Sequence, residues 1–223
     1  MSRHSTSPPV VSTAFDLDCR RCPRLSRFLD EVQQDYPDYH ARPVAPFGAA
    51  RPSLLIVGLA PGMHGANATG RPFTGDHAGI LLYQTLFDYG FSSAPVSESA
   101  RDGLKLRGCR ITNAVKCLPP QNKPVGAEIK TCNDFLRAEL EGLKKGAVVL
   151  ALGSIAHQSV VRAFGLRQKD FRFAHNVLHD LPGERRLLDS YHCSRYNTQT
   201  RRLTEPMFRA VFQQARDLID ADG

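Results

Sequence analysis

Buried strands and amphipathic helices alternate along most of this chain. Continuous apolar runs at 54–57 and 147–152, and a mixed run at 109–117, are typical of strands buried on both faces of a sheet. Between and after them, apolar residues recur at helical spacing in three segments, 80–87, 129–143 and 208–219. This alternation predicts an α/β fold, a three-layer α/β/α domain with a central parallel sheet and helices on both faces.

The alternating pattern occupies residues 14–223, which we expect to form a single domain. Residues 1–13 are rich in serine, threonine and proline, and this composition predicts a flexible tail. No apolar run approaches the roughly 20 residues that a membrane span needs, and the N-terminus lacks the apolar core of a secretory signal. We therefore expect an intracellular, cytoplasmic monomer with no membrane partner.

A long glycine-rich loop lies between the first predicted strand and the next helix. It runs from Gly58-Leu-Ala-Pro-Gly62 to Gly70-Arg-Pro-Phe-Thr-Gly-Asp76. A loop at the carboxyl end of a parallel strand is where open α/β sheets bind ligands. The spacing lacks both the Gly-Lys-Ser/Thr ending of a phosphate loop and the GxGxxG pattern of dinucleotide-binding proteins. Phe73, Asp76 and many backbone amides instead predict a site for a flat, polar ligand.

Four cysteines are candidates for a metal site. Cys19 and Cys22 form a CxxC pair that opens a helix, Cys117 ends the second predicted strand, and Cys132 lies on the following helix. Four thiolates from two chain regions can bind an iron–sulfur cluster or a tetrahedral zinc ion, although buried free cysteines are also common. The two other cysteines are predicted to be non-ligands in or beside strands: Cys109 and Cys193.

Charge adds a preference among partners. With 29 Lys and Arg against 22 Asp and Glu, the chain has a formal net charge of +7. This excess favours a polyanionic partner such as nucleic acid, although a solvated cationic surface gives the same charge. The 223 residues, 42% of them hydrophobic, are enough for one full core.

Four motifs, together with the four spaced cysteines, resemble those of the iron–sulfur uracil-DNA glycosylases, and more narrowly the type B (family 5) branch. They occur in collinear order from Cys19 to the last helix: Gly58–Gly62, Gly70–Asp76, Thr112-Asn-Ala-Val-Lys-Cys117 and His192-Cys-Ser-Arg-Tyr-Asn197. The resemblance implies an α/β/α fold and excision of uracil from DNA. It also implies a [4Fe–4S] cluster on Cys19, Cys22, Cys117 and Cys132.

The resemblance further implies how a base is bound. A glycosylase flips its base out of the stack, reads the polar edge and stacks upon the face. Phe73 can supply the stacking face, and Asn113 can read the edge because an amide offers both donor and acceptor. Backbone from the first motif completes the base site, at Gly58, Ala60 and Gly62. The structural alternatives are a core aromatic for Phe73 and a strand-end polar residue for Asn113.

Two residues are candidates for catalysis. His192 can donate to a base oxygen that gains negative charge as the glycosidic bond breaks, although a lone histidine after a strand is otherwise more often structural. Asp76 can orient water or stabilise the sugar cation, and it is equally placed to cap a helix. Ala60 stands where many family members have Asp or Asn. This agrees with the type B branch and predicts a roomier pocket that also admits other deaminated or damaged bases.

The loop after His192 supplies the expected DNA contacts. Its polar side chains suit phosphate binding and insertion into a duplex: Ser194, Arg195, Asn197 and Thr198. The expected substrate is uracil-containing double-stranded DNA, with single-stranded DNA as a further candidate, and the expected product is an abasic site without Schiff-base chemistry. The alternatives are a non-catalytic iron–sulfur DNA-binding module and an electron-transfer protein, the latter disfavoured by the elaborate loop.

Overall fold

The computed structural model describes residues 15–221. The helices are α1 Pro23–Asp35, α2 Ala66–Thr69, α3 His77–Asp88, α4 Gly126–Glu141, α5 Ser154–Ala163, α6 Arg195–Gln199 and α7 Glu205–Ala221. The strands are β1 Phe47–Gly48, β2 Leu54–Gly58, β3 Cys109–Asn113, β4 Val148–Leu152, β5 Leu178–Leu181 and β6 Arg185–Ser190. Short 3₁₀ turns occur at Pro120–Asn122 and Gln168–Asp170.

One six-stranded sheet, in the order β1-β3-β2-β4-β6-β5, runs through the domain. The four inner strands are parallel, with Leu54 opposite both Cys109 and Val148, and Leu150 opposite Leu188. After β2 the chain first adds β3 on one side and later β4 on the other. Ligands of open α/β sheets bind at such a reversal of strand order, outside the carboxyl ends of the strands.

The two faces of the sheet carry separate cores because successive strand residues point to opposite faces. Leu54 and Ile56 pack with α3 and α7 residues such as Leu82 and Phe212. Leu55 and Val57 pack on the opposite side against α4 and α5. The predicted three-layer α/β/α domain is therefore confirmed, and its central sheet is parallel in the four inner strands.

The edges of the sheet differ from the prediction of an all-parallel arrangement. β1 pairs antiparallel with β3, and β5 pairs antiparallel with β6. β3 also ends at Asn113, so the prediction of a strand that continues to Cys117 was wrong. Its partner β2 ends at Gly58. Beyond β3, the amides of Ala114 and Val115 still donate to the carbonyls of Gly58 and Leu59. The chain then leaves the sheet, and Cys117 lies in the loop that follows.

The predicted tail at 1–13 lies outside the described residues. Within the part of the chain that the structure describes, no helix combines the length and apolar character that crossing a membrane requires.

Candidate active site

A cavity of about 390 Å³ opens at the carboxyl ends of the inner strands. Residues at or just beyond the ends of three inner strands line it, including Leu59 after β2, Asn113 at the end of β3 and His192 after β6. It brings together most of the predicted site residues: Ala60, Gly62, Phe73, Asp76, Asn113, His192, Ser194 and Arg195. The geometry therefore assembles residues that are up to 135 positions apart, counting from Ala60 to Arg195, into one site.

Gly58 does not line this cavity but lies directly beneath its wall. A Cβ atom at this position would lie 2.4 Å from Oδ1 of Asn113 and 2.7 Å from Cζ of Phe73. Both distances are shorter than any non-bonded contact that a real Cβ makes. Gly58 therefore allows the two predicted base-binding side chains to approach the end of β2 together.

Phe73 has an unusual backbone for a bulky residue, with φ at 56°. Left-handed backbone is sterically costly for such side chains and is found mainly where surrounding contacts impose it. The carbonyl of Phe73 lies 1.9 Å from the position of a Cβ on Gly79, so only glycine fits in that turn of α3. Phe73 as a whole is only 6% exposed, and it lines the cavity.

Arg71 anchors the loop segment that leads to Phe73. Its buried guanidinium donates to Asp102 over 2.7 Å and to Ser97 over 3.0 Å, and it stacks 4.4 Å above the ring of Phe47. Burial alone would raise the pKa of Asp102, but Arg71 and three backbone amides lower it to about 2. The pair is thus charged at neutral pH, and it fixes the loop against the 92–105 connection.

Asn113 presents an unsatisfied amide. The residue is 3% exposed, and its Oδ1 atom has no hydrogen-bond partner among residues 15–221. Most buried polar atoms in proteins are hydrogen-bonded, so an orphaned acceptor beside a cavity indicates a missing partner. A ligand with polar edges can provide that partner.

Asp76 caps α3 and also lines the cavity. Its Oδ1 accepts from the amide of Gly79 over 3.0 Å, which confirms the predicted N-cap. A Cβ on Gly65 would lie 2.7 Å from Oδ2 of Asp76, so this glycine leaves room for the carboxylate. Burial raises the pKa of Asp76, although backbone amides partly offset the shift. A carboxylate in this position can therefore act as a base while it caps the helix.

His192 follows β6 and packs against Phe73. The two rings stack with centroids 5.8 Å apart and planes 27° from parallel. Burial lowers the pKa of His192 to about 4, so the imidazole is neutral at physiological pH. Its ring nitrogens have no hydrogen-bond partner within the described part of the chain, and one of them can donate to a ligand.

The segment after His192 forms the short helix α6, so its prediction as a loop was wrong. Ser194 caps this helix by accepting from the amide of Asn197 over 3.4 Å. The Asn197 side chain donates to the carbonyl of His192 over 2.8 Å, and Thr198 lies 3.1 Å from the Nε2 atom of His77. Arg195 is exposed at the mouth of the cavity. Asn197 and Thr198 thus hold the site together from outside the cavity.

Two polar cavity residues are absent from the sequence-based set. His77 begins α3 beside Asp76, and Asn122 reaches the cavity from the 3₁₀ turn after Cys117. His77 directly follows the second glycine-rich motif, and this position is its only sequence signal. Asn122 has φ at 55° and lies in a proline-containing connection that carries no periodic pattern. Only the fold reveals that this connection approaches the cavity.

The four predicted metal-binding cysteines line a second, smaller cavity together. Cys22 caps α1, Cys117 follows β3, and Cys132 lies on α4, so three elements converge there. All four thiols are free, as are Cys109 and Cys193, which are buried elsewhere. No three of the four thiols approach within 4.8 Å of one another, although one tetrahedral zinc ion would hold its sulfur ligands roughly 4 Å apart.

The surroundings of these cysteines oppose isolated thiolate charges. The amide of Lys116 donates to Sγ of Cys132 over 3.3 Å. Burial and the neighbouring thiols raise the pKa of Cys22 to about 11, because charged thiolates would repel one another there. The ammonium of Lys116 is itself buried against Glu139 at 2.6 Å, and Lys116 does not line the active-site cavity. Arg21 lines the same cavity, and its charge offsets part of the repulsion between the thiolates.

Comparisons with known proteins agree with this geometry. The sequence model of the uracil DNA glycosylase superfamily matches residues 45–216. A type-5 uracil-DNA glycosylase of Thermus thermophilus is 46% identical over 206 residues, which cover 90% of this chain and 93% of that protein. Type-5 uracil-DNA glycosylases of Mycobacterium bovis and Pyrobaculum aerophilum are 43% and 39% identical, covering 78% and 88% of their own lengths and 90% and 89% of this chain. The chain belongs to the uracil DNA glycosylase superfamily, and within it to the type-5 enzymes.

Proposed function

We propose that this protein removes uracil from DNA by hydrolysing the N-glycosidic bond, which leaves an abasic site for base excision repair. The observation that carries the proposal is the cavity of about 390 Å³ in which Asp76, His192, Phe73 and the orphaned amide of Asn113 converge. These groups can hold a flat, polar base, and they can stabilise negative charge on that base and positive charge on the sugar as the bond breaks.

The base enters this cavity after it leaves the DNA stack. Phe73 supplies a ring for its face, and the amide of Asn113 pairs with its polar edge. Oδ1 of Asn113 lacks a partner until an N–H of the base arrives, and this unmet bond favours a base that carries a donor at that edge. Ala60 adds only a methyl group to the wall, so we propose that other deaminated bases fit as well.

Bond cleavage creates two charges that the site can stabilise separately. The C1′–N1 bond breaks with its electrons going to the base, and the sugar passes through a cationic state. Water then adds to C1′ and loses one proton, and the departing base gains one, so the products are neutral. Neutral His192 donates to the base oxygen that gains negative charge, as in an oxyanion hole. Asp76 stabilises the sugar and orients the water. The motif lysine Lys116 is buried and paired, so no amine is available for Schiff-base formation from that motif.

Incubation with a uracil-containing duplex, followed by alkali, tests the activity directly. We expect strand scission at the uracil position and none in the matched undamaged duplex. Scission before alkali treatment would indicate a lyase. Tight binding to the damaged duplex without scission would instead support the non-catalytic DNA-binding module.

We infer that the four cysteines hold a [4Fe–4S] cluster. The convergence of four free thiols on one cavity, with a backbone amide donating to Cys132, supports this assignment. Such a cluster joins α1, the loop after β3 and α4. We propose a structural role, because Cys117 lies four residues beyond Asn113 and the bound group would fix that loop.

Metal analysis checks this cofactor. Protein purified without oxygen is expected to be brown and to contain about four irons per chain. Replacing a predicted ligand, Cys132→Ala, should lower the iron content sharply. The matched control Cys109→Ala removes a buried thiol outside the site and should keep the iron. Natively purified protein with zinc and no iron would contradict the assignment.

We further propose that the protein acts as a monomer on duplex DNA, with α6 at the DNA surface. Arg195 is exposed at the mouth of the cavity, and it forms no ion pair within residues 15–221. An exposed arginine at the entrance to a base pocket is well placed to contact a phosphate. Ser194 and the amides of the first turn of α6 lie beside it.

Replacing Arg195 with alanine should weaken binding to damaged and undamaged duplex alike, because a phosphate contact carries no sequence information. The slope of log affinity against log salt concentration should fall by about one unit. Fluorescence anisotropy over a range of salt concentrations measures both effects. Arg167→Ala, an exposed arginine that pairs with Asp170, is the control and should leave the slope unchanged. Salt-insensitive binding by the unaltered protein would disprove the phosphate contacts.

A further inference from the structure

A second cluster of potential metal ligands lies away from both the uracil pocket and the four cysteines. It consists of His157 on α5, His179 on β5 and Asp189 on β6, at the β5 side of the sheet. One donor atom from each residue lies within 4.8 Å of the other two. The side chains of His157 and Asp189 are almost completely buried, with 1% and 0% exposed, and that of His179 is 13% exposed.

The hydrogen bonds of His157 leave one of its nitrogens oriented for a cation. Nε2 lies 2.9 Å from the carbonyl oxygen of Phe171, and a carbonyl can only accept, so Nε2 carries a hydrogen. In the neutral ring Nδ1 is then an unprotonated lone pair. It lies 2.8 Å from Oδ1 of Asp189, which is itself an acceptor. Although burial would lower the pKa of His157, Asp189 and the carbonyl of Phe171 raise it, so the site attracts positive charge. The contact is favourable only when a proton on Nδ1 or a metal ion lies between the two atoms.

The other half of the cluster has unmet bonding capacity. Oδ2 of Asp189 and Nε2 of His179 are buried, and neither has a hydrogen-bond partner among residues 15–221. These two atoms are 3.4 Å apart. A fully buried carboxylate that receives at most one hydrogen bond is costly, because charge removed from water needs pairing.

We propose that His157, His179 and Asp189 form a binding site for one zinc ion. Zinc takes imidazole nitrogen and carboxylate oxygen at about 2.0–2.2 Å in a tetrahedron, which places its ligand atoms roughly 3.4 Å apart. The carboxylate of Asp189 lies between the two histidines: Oδ1 is 2.8 Å from Nδ1 of His157, and Oδ2 is 3.4 Å from Nε2 of His179. One of these oxygens lies within 4.8 Å of a nitrogen from each ring, so one ion can bind all three residues after small side-chain adjustments. The fourth position is left for water, which can enter beside the partly exposed His179.

The surrounding residues match those of protein metal sites. A metal-binding histidine usually donates its second nitrogen to a carbonyl or carboxylate, as Nε2 of His157 does to Phe171. The rings of Phe171 and Phe173 lie against the histidines, with centroids 5.6 and 5.7 Å away, and limit access of solvent. Zinc here would join α5, β5 and β6 three residues before His192, and would thereby stabilise the strand that precedes His192.

The experiment uses the anaerobically purified, iron-loaded protein, so that the cysteines are already occupied. After incubation with zinc sulfate and gel filtration, we expect one zinc per chain in addition to unchanged iron. His179→Gln removes the ligand on the edge strand and should weaken zinc affinity at least about 100-fold, since even outer-shell changes cost 10–100-fold. Zinc should also raise the melting temperature of the unaltered protein but not that of the variant.

His175→Gln is the matched control, because this histidine precedes β5 but lies outside the cluster, and it should retain the zinc. X-ray absorption at the zinc edge of the unaltered protein needs no variant to fold. It should give nitrogen and oxygen neighbours at about 2.0–2.2 Å and no sulfur at about 2.3 Å. Equal zinc in the His179→Gln protein, a sulfur shell, or no retained zinc would each overturn the proposal and leave a buried histidine–aspartate ion pair.

Discussion

Replacing Asp76 with asparagine is expected to lower the single-turnover rate of uracil excision by about 10²–10⁴-fold, the usual contribution of a positioned acid or base. Asparagine keeps the size of the side chain and caps a helix as well as aspartate does. It removes the charge that, in the proposed mechanism, stabilises the sugar and orients water. Folding and DNA affinity should therefore survive, which a melting curve and an anisotropy titration verify.

The acidic limb of the pH–rate profile provides a second measurement on the same residue. Burial raises the pKa of Asp76, so its active, ionised form is lost at a higher pH than for an exposed aspartate. The rate should fall as pH falls through that raised pKa, and the fall should disappear in Asp76→Asn. Asp88→Asn, at the far end of the same helix, is the control and should keep the normal rate. A near-normal rate for Asp76→Asn would show that Asp76 acts only as a helix cap.

Replacing His192 with phenylalanine should slow excision by about 10²–10³-fold, the effect of removing one donor from an oxyanion hole. The ring of His192 stacks on that of Phe73 with centroids 5.8 Å apart. A phenylalanine ring should keep this stacking, but it has no N–H to donate. The loss should therefore appear in the chemical step rather than in DNA affinity. Single-turnover rates at saturating enzyme measure that step directly.

The pH dependence distinguishes a neutral donor from a cationic one. Because burial lowers the pKa of His192 to about 4, its protonated form disappears above roughly pH 5. The contribution of His192 should then be constant between pH 6 and 8. Suppose instead that the rate of the unaltered protein fell as pH rose through 6.5, and that His192→Phe showed no such fall. The protonated imidazolium would then be the catalytically active form. His64→Phe, an exposed histidine of the glycine-rich loop, should leave the rate unchanged.

Periodicity located the parts of the site that follow inner strands. β2 and β4 are buried on both faces, so their apolar runs identified them, and the glycine-rich loop had to lie at the end of β2. The Asp76 cap also follows from local sequence, since capping depends on a residue and the turn directly after it. The resemblance between motifs added the grouping of distant residues such as Asn113 and His192, which periodicity alone does not provide.

The remaining features depend on tertiary contacts. β1 is two residues long and pairs antiparallel only because β3 presents a free edge, so it leaves no pattern in the sequence. β3 stops at Asn113 because its partner stops, although its own residues continue in strand-like composition as far as Cys117. The cluster of His157, His179 and Asp189 draws on three elements, and no spacing links its members.

The left-handed backbone at Phe73 limits how the pocket can change during evolution or redesign. Its φ of 56° is most costly for β-branched residues, whereas glycine would keep the backbone but remove the ring. Substitutions at this position therefore change the loop and the pocket wall together. Ala60 and Asn113 have no such restriction, and each faces the same cavity. Substitutions at those two positions should therefore change the fit of a base in this pocket while the aromatic ring stays constant.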